Sequence, residues 1–241
     1  MKRKLFLYIP LLAFVLALSS FILQQERVSG NGQVKQENRQ AARFENIATS
    51  GTFKVYIQQG NTHSIQVEAE SNLLPYIETN IHGDDLEVRV KKGYNIRPTK
   101  PVNIYVTMEE VHNLAASGSG GFFSRGKLKT DALKLSVSGS ADADLDIDAG
   151  KVKVGVSGAS NVKLTGTSNE ADYGVSGKAD IAAFDLLTDD VKIGISGSGN
   201  ARVYARKTLK VGVSGMGNIK YKGNPDISQA VSGRGSIARE G

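Results

Sequence analysis

The sequence predicts an all-β protein: a right-handed parallel β-helix (solenoid) with coils of 18–21 residues and wider, irregular coils at its N-terminal end. Three observations carry this expectation. A Ser-Gly unit recurs seven times at a near-constant spacing. Within each unit apolar and polar residues alternate with a period of two, and no helical spacing is present. Glycine is abundant, 27 of 241 residues, which disfavours helices by about 1 kcal/mol per position.

The units align as Leu135-Ser-Val-Ser-Gly-Ser-Ala-Asp142, Val154-Gly-Val-Ser-Gly-Ala-Ser-Asn161 and Tyr173-Gly-Val-Ser-Gly-Lys-Ala-Asp180. Ile193-Gly-Ile-Ser-Gly-Ser-Gly-Asn200, Val211-Gly-Val-Ser-Gly-Met-Gly-Asn218 and Gln229-Ala-Val-Ser-Gly-Arg-Gly-Ser236 follow, and Leu114-Ala-Ala-Ser-Gly-Ser-Gly-Gly121 is a degenerate first copy. Their serines fall at 117, 138, 157, 176, 196, 214 and 232, so the steps are 21, 19, 19, 20, 18 and 18 residues. In one copy Leu135, Val137, Gly139, Ala141, Ala143, Leu145 and Ile147 form the inward set. Glycine on that set is expected where a strand turns an inward corner with no room for a side chain. A single coil buries too little to fold alone, whereas stacked coils share hydrogen bonds and a continuous core. Six steps at about 4.8 Å extend the stack by about 29 Å.

From the N-terminus, Lys2-Arg3-Lys4 precedes an apolar run from Leu5 to Leu18 and a small-x-small step at Ala17-Leu18-Ser19. This pattern is that of a secretory signal peptide at 1–23. An uncleaved membrane anchor is the competing reading, because Leu5–Leu23 approaches the roughly 20 residues that span a bilayer. Both put the rest of the chain outside the cytoplasm. Residues 24–43 are polar and read as a linker or edge segment. Residues 44–241 read as a single β-helical domain, irregular over 44–113 and regular over 114–241. Phe53–Ile57, Ser64–Glu68, Leu86–Val90 and Val102–Val106 all alternate, with a turn at His82-Gly-Asp-Asp85; a separate small sandwich is the alternative for this part.

Composition narrows the chemistry. With no cysteine there is no disulfide, thiolate zinc site or cysteine nucleophile. Only His63, His82 and His112 are available for a histidine-based relay or metal cluster. The net charge of +6 falls to +3 beyond residue 23, 27 basic against 24 acidic residues, too weak a bias for nucleic acid. No phosphate-cradling glycine motif occurs, and no cofactor is expected.

The candidate binding residues lie in two loops. Gly120-Gly-Phe-Phe-Ser-Arg-Gly126 offers Phe122, Phe123 and Arg125 in the longest coil step; Tyr94-Asn-Ile-Arg-Pro-Thr-Lys-Pro101 offers Tyr94 and Arg97. Aromatics beside cations suit a sugar or peptide, and a Phe tucked under its loop is the plainer role. The Ser-Gly serines and the column Asp142, Asn161, Asp180, Asn200, Asn218 read as ladders bonded between coils. Asp142, Asp144, Asp146 and Asp148 share one strand face, but alternate residues stand about 6.6–6.8 Å apart and do not converge on a cation. Lys151, Lys153 and Lys163 are placed to neutralise them.

Asn31-Gly32, Phe44-Glu-Asn-Ile47, Gly51-Thr-Phe-Lys-Val-Tyr-Ile-Gln-Gln-Gly60, Val67-Glu-Ala-Glu-Ser-Asn-Leu-Leu-Pro-Tyr-Ile77 and the serial Val-Ser-Gly units together resemble the auto-transporter adhesin head family, the GIN domain. The resemblance covers about residues 30–238. It implies an exported β-helical domain in a Gram-negative-type envelope, whether periplasmic, outer-membrane-associated or on the cell surface. It also implies adhesion, and carries no established catalytic residues. Nothing after Gly241 would form a translocator barrel, so self-export is not expected.

The expected function is therefore an exported, non-enzymatic, adhesin-like binding or scaffold module. Its partners are a glycan or an extracellular protein, with membrane contact only through the N-terminal segment. An open last coil ending at Ser236-Ile-Ala-Arg-Glu-Gly241 suits homo-oligomerisation. The alternative is a carbohydrate-active β-helix enzyme, a polysaccharide lyase or hydrolase, which needs a positioned base or paired carboxylates.

Overall fold

The computed structural model describes residues 25–240, so the apolar run read as a signal peptide or anchor lies outside the described residues. Residues 24–43 hold two short strands, β1 (Glu26–Ser29) and β2 (Val34–Arg39). Gly32, at φ +77°, lies in the turn between them. Then come β3 (Asn46–Gly51), β4 (Phe53–Gln59), β5 (Ser64–Glu70), a 3-10 turn at Leu74–Tyr76, β6 (Ile77–His82), β7 (Asp85–Val90), β8 (Tyr94–Arg97) and β9 (Val102–Met108). β7 lies parallel on β3, and β9 lies parallel on β4, forming a wide coil above the first one. The margin of this region is antiparallel: β6 returns along β7, β5 along β9, and β2 along β5. The turn expected at His82-Gly-Asp-Asp85 closes the β6–β7 hairpin, where Gly83, at φ +61°, lets the chain reverse. The antiparallel pairing of β5 with β9 and of β2 with β5 goes beyond the coils expected for this part.

The regular stack consists of β10 (Asn113–Gly118), β11 (Gly121–Gly139), β12 (Asp142–Val156), β13 (Ala159–Val175), β14 (Lys178–Ile195), β15 (Ser198–Val213), β16 (Met216–Lys222), β17 (Asp226–Val231) and β18 (Arg234–Arg239). All neighbours in this stack pair in parallel. Register keeps each repeat over the last, with Ser117 opposite Ser138, Val137 opposite Val156, and Gly174 opposite Gly194. The result is a β-solenoid of about seven turns. β10 continues directly onto β3, and β11 onto β4, so the irregular coils open the same solenoid.

Alternation does what the sequence requires of it. Leu135, Val137, Ala141, Ala143, Leu145 and Ile147 are buried, while their polar neighbours lie outside or at the boundary. The core changes calibre along the axis: Phe44, Phe53 and Phe122 fill the N-terminal coils, and Val, Ile, Leu and Ala dominate later ones. Tyr173 is the large exception, fully buried among the aliphatic coils, and burial pushes its phenol above the ordinary range.

The recurring glycine has a different cause from an inward corner. A Cβ on Gly139 would lie 2.5 Å from the carbonyl oxygen of Gly118 in the coil before it. It would lie closer still for Gly158, Gly177, Gly197, Gly215 and Gly233, each over the glycine of the preceding coil. The missing side chain would point along the solenoid axis into backbone, not into the core. Gly118 and Gly139 also take positive φ, but the later five do not, so close stacking is the requirement common to the column.

Candidate ligand-binding site

The site grows from register and one bulge. Phe53-Lys-Val-Tyr-Ile57 and Val102-Asn-Ile-Tyr-Val106 carry tyrosine at the same point of their alternation. Parallel pairing sets Tyr56 directly beside Tyr105, and β11 adds Phe123 beside Tyr56. Antiparallel pairing adds Gln66 beside Tyr105 and Asn38 beside Gln66. One outward row thus crosses five strands. The Tyr56 and Tyr105 rings stack at 5.3 Å, and Phe123 follows at 5.4 Å from Tyr56.

The longest coil step now has a structural meaning. Phe123 pairs with Asp144, but Lys127 pairs with Asp146, so Ser124-Arg125-Gly126 stand opposite the single residue Leu145. This bulge, with Gly126 at φ +95°, throws Arg125 outward and back over the tyrosines. Its guanidinium carbon lies 4.3 Å from the Tyr105 ring centroid and 5.2 Å from that of Tyr56. Beside them is a cavity of about 480 Å³ whose lining includes Asn38, Arg39, Gln58, Gln66 and Thr107 as well as Arg125.

Glu68, outside the cavity lining, fixes Tyr105 from the neighbouring strand. It accepts hydrogen bonds from Asn103 Nδ2 and Gln36 Nε2, both at 2.7 Å, and from the Tyr105 hydroxyl at 3.1 Å. The Asn103 and Gln36 bonds hold its carboxyl below the usual carboxylate range. Burial, then the bond to Glu68, raises the Tyr105 hydroxyl, which therefore stays protonated as a donor at neutral pH.

The residues singled out in the sequence are divided among three environments. Phe123 and Arg125 join the row. Phe122 is fully buried, because alternation turns it inward, so it forms core rather than ligand contact. Tyr94 lies elsewhere, 4.6 Å from Tyr76 by ring centroids, in a cavity of about 560 Å³ with Lys91 and Lys92. Arg97 is exposed on β8 and lines neither cavity; its carbonyl accepts from Gly30 N at 3.0 Å. Tyr56 and Tyr105 were not singled out. Their shared place in two matching alternating segments was the signal available for them.

The ladders resolve individually. Asn161 Nδ2 and N reach Asp142 Oδ1 at 3.1 and 3.0 Å, and Asn200 Nδ2 reaches Asp180 Oδ1 at 2.6 Å. The serine hydroxyls of 176, 196 and 232 donate weakly, at 3.4–3.5 Å, to carbonyls of the preceding coil. The aspartates separate toward different partners: Asp144 to Lys163, Asp146 to Lys127, Asp148 to Thr167. Lys151 pairs instead with Glu170.

Glu45, Glu110 and His112 also meet, but Glu45 lies 3.7 Å from Nδ1 and Glu110 lies 3.3 Å from Nε2. Opposite edges of the ring thus face different carboxylates, and Arg43 neutralises Glu45. A shallow groove of about 1000 Å³ runs past the serine column, with Gly155, Gly174, Gly194 and Gly212 on its floor. A Cβ at these four would meet nothing closer than 3.8 Å, and none has positive φ, so the fold itself does not demand glycine there.

Solved structures share this architecture. A "putative adhesin" from Bacteroides fragilis matches at a TM-score of 0.82 and 23% identity, covering 88% of this chain and all of that one. A "putative lipid binding protein" from Parabacteroides distasonis gives 0.72 and 24% identity over 90% of this chain and all of its own. A "putative adhesin" from the same species gives 0.71 and 22%, over 89% of this chain and all of its own. Identities this low establish the fold alone. No curated protein matches the chain. The family model described as "Putative auto-transporter adhesin, head GIN domain" matches residues 43–225, and the chain belongs to that family.

Proposed function

We propose that the chain is an exported, non-enzymatic, adhesin-like module of the cell envelope that binds glycan through the Tyr56–Tyr105–Phe123 row and its cavity. The basic-then-apolar N-terminus supports export. The single observation that carries binding is the aromatic row bordered by Asn38, Gln58, Gln66 and Thr107: fixed apolar edges beside amide and hydroxyl groups suit a sugar. Glu68 is not poised as a general acid. A general acid needs a raised pKa, and its three donors push this carboxyl the other way.

The test is an array of glycans and matrix proteins probed with the purified chain, with product analysis of whatever is retained. Saturable retention of a glycan without breakdown, weakened about tenfold by a Tyr56→Ala/Tyr105→Ala double variant, is the expected result. Cleavage products, or retention only of proteins, would overturn the reading.

A further inference from the structure

We propose that Arg125 is an oxyanion receptor and that the glycan taken at this site is acidic, engaged through a sugar carboxylate. This deepens the glycan-binding reading and rests on it. The residues lining the cavity include two cations, Arg39 and Arg125, and no acid. Arg39 is already committed: its guanidinium donates to the Leu74 carbonyl at 2.9 Å and pairs with Glu37 at 3.2 Å.

Arg125 has no hydrogen-bond or ion-pair partner among the described residues, although its guanidinium lies over two tyrosine rings. Such a group keeps its planar fork of donors while the rings restrict its rotamers, so less freedom is lost when an anion arrives. A carboxylate matches that fork with two parallel N–H···O bonds, and charge makes them stronger than neutral ones. The bulge is what frees the cation. Without the extra residues at 124–126, the side chain at this point would lie in the regular outward array.

The nearby negative charge does not occupy this fork. Glu68 is turned to Asn103, Gln36 and Tyr105, and its oxygens are engaged there. The Tyr105 hydroxyl is likewise spent on Glu68, leaving Arg125 as the cationic donor of the row.

The test uses the full chain and a fixed panel: galacturonate, glucuronate and N-acetylneuraminate oligosaccharides, each beside its methyl ester. Esterification keeps the sugar and removes the negative charge. Calorimetry is expected to show at least one acid bound about tenfold or more tighter than its ester. Arg125→Gln should erase that difference, and Arg125→Lys should recover only part of it because a point charge lacks the fork. Thermal melts of both variants should match the parent.

If acid and ester bind alike, or the acid preference survives in Arg125→Gln, the acidic assignment falls and the glycan reading stands. If none of the panel binds while neutral glycans on the array do, the outcome is the same. Silence of every glycan would sink both.

Discussion

The wide coils at 44–113 and the regular coils at 114–240 solve the same problem, how to hold one strand on the next, by opposite means. In the regular part the backbone does the holding, and side chains are removed where it must come close: Gly118, Gly139, Gly158, Gly177, Gly197, Gly215 and Gly233 stack over one another. In the irregular part specific side chains clasp segments far apart in sequence. Glu70, fully buried, accepts from Gly32 N at 2.5 Å, Thr99 N at 2.7 Å, Thr99 Oγ1 at 2.6 Å and Lys100 N at 3.3 Å. It thereby joins the β1–β2 turn to the segment after β8. Repetition permits a steric rule that every coil obeys; its absence calls for individual polar clasps.

Two glycines three residues apart sharpen the contrast most. Gly177→Ala places a methyl carbon against Gly158, with N at 2.9 Å, C at 3.0 Å and the carbonyl oxygen nearer still. Backbone cannot swing aside as a side chain can, so a loss of about 3 kcal/mol or more is expected in chemical denaturation. Gly174→Ala meets only Val154 O at 3.8 Å, in extended backbone. It should be neutral or stabilise by about 0.5–1 kcal/mol. Equal effects at the two positions would mean that glycine marks flexibility rather than close approach.

The clasp gives the next effect. All four groups around Glu70 are donors, two at each oxygen. In Glu70→Gln either amide orientation turns an N–H₂ toward two of them, and at least one backbone N–H then faces a donor instead of an acceptor. Hydrogen exchange should accelerate at Gly32, Thr99 and Lys100, while amides of β13 to β15 keep their protection. Loosening that spread evenly into the regular coils would make the two regions one cooperative unit and weaken the contrast.

The regular coils were legible because their rule is local and repeated. Ser-Gly spacing gave strand, period and stacking, and the register places Ser117 by Ser138 as alignment of the units requires. The direction of the glycine constraint was not legible, since a sequence shows that Cβ is excluded but not which atom excludes it. At the candidate site, Phe123 and Arg125 stood out as loop neighbours. Their placement over Tyr56 and Tyr105 depends on β4, β9 and β11 pairing side by side, which no local pattern encodes. Glu70 is harder still: its partners at 32 and 99–100 meet only once the antiparallel margin has formed.

Acid should separate the two regions more gently than the substitutions. The Thr99 hydroxyl bond leads the interactions that hold the Glu70 carboxyl at about 2, well below an ordinary glutamate near 4.5. A carboxylate whose folded-state pKa is depressed favours folding once pH exceeds the unfolded value, and that contribution disappears as pH falls through the folded value. The clasp is therefore at full strength above about 4.5 and weakens progressively toward about 2.

The regular coils titrate as well. Lys207 and Arg206 lower Asp189, and Lys220 lowers Glu240. Those pairs are on the surface and screened, so acid alone does not isolate the clasp. The difference does. Between pH 6 and pH 3 the parent should lose protection at Gly32 and Thr99, whereas Glu70→Gln, with no carboxylate there to protonate, should change little at those amides. Both proteins should behave alike in β13 to β15. If the variant loses as much at Gly32 and Thr99 as the parent does, the acid response of the N-terminal coils comes from groups other than this carboxylate.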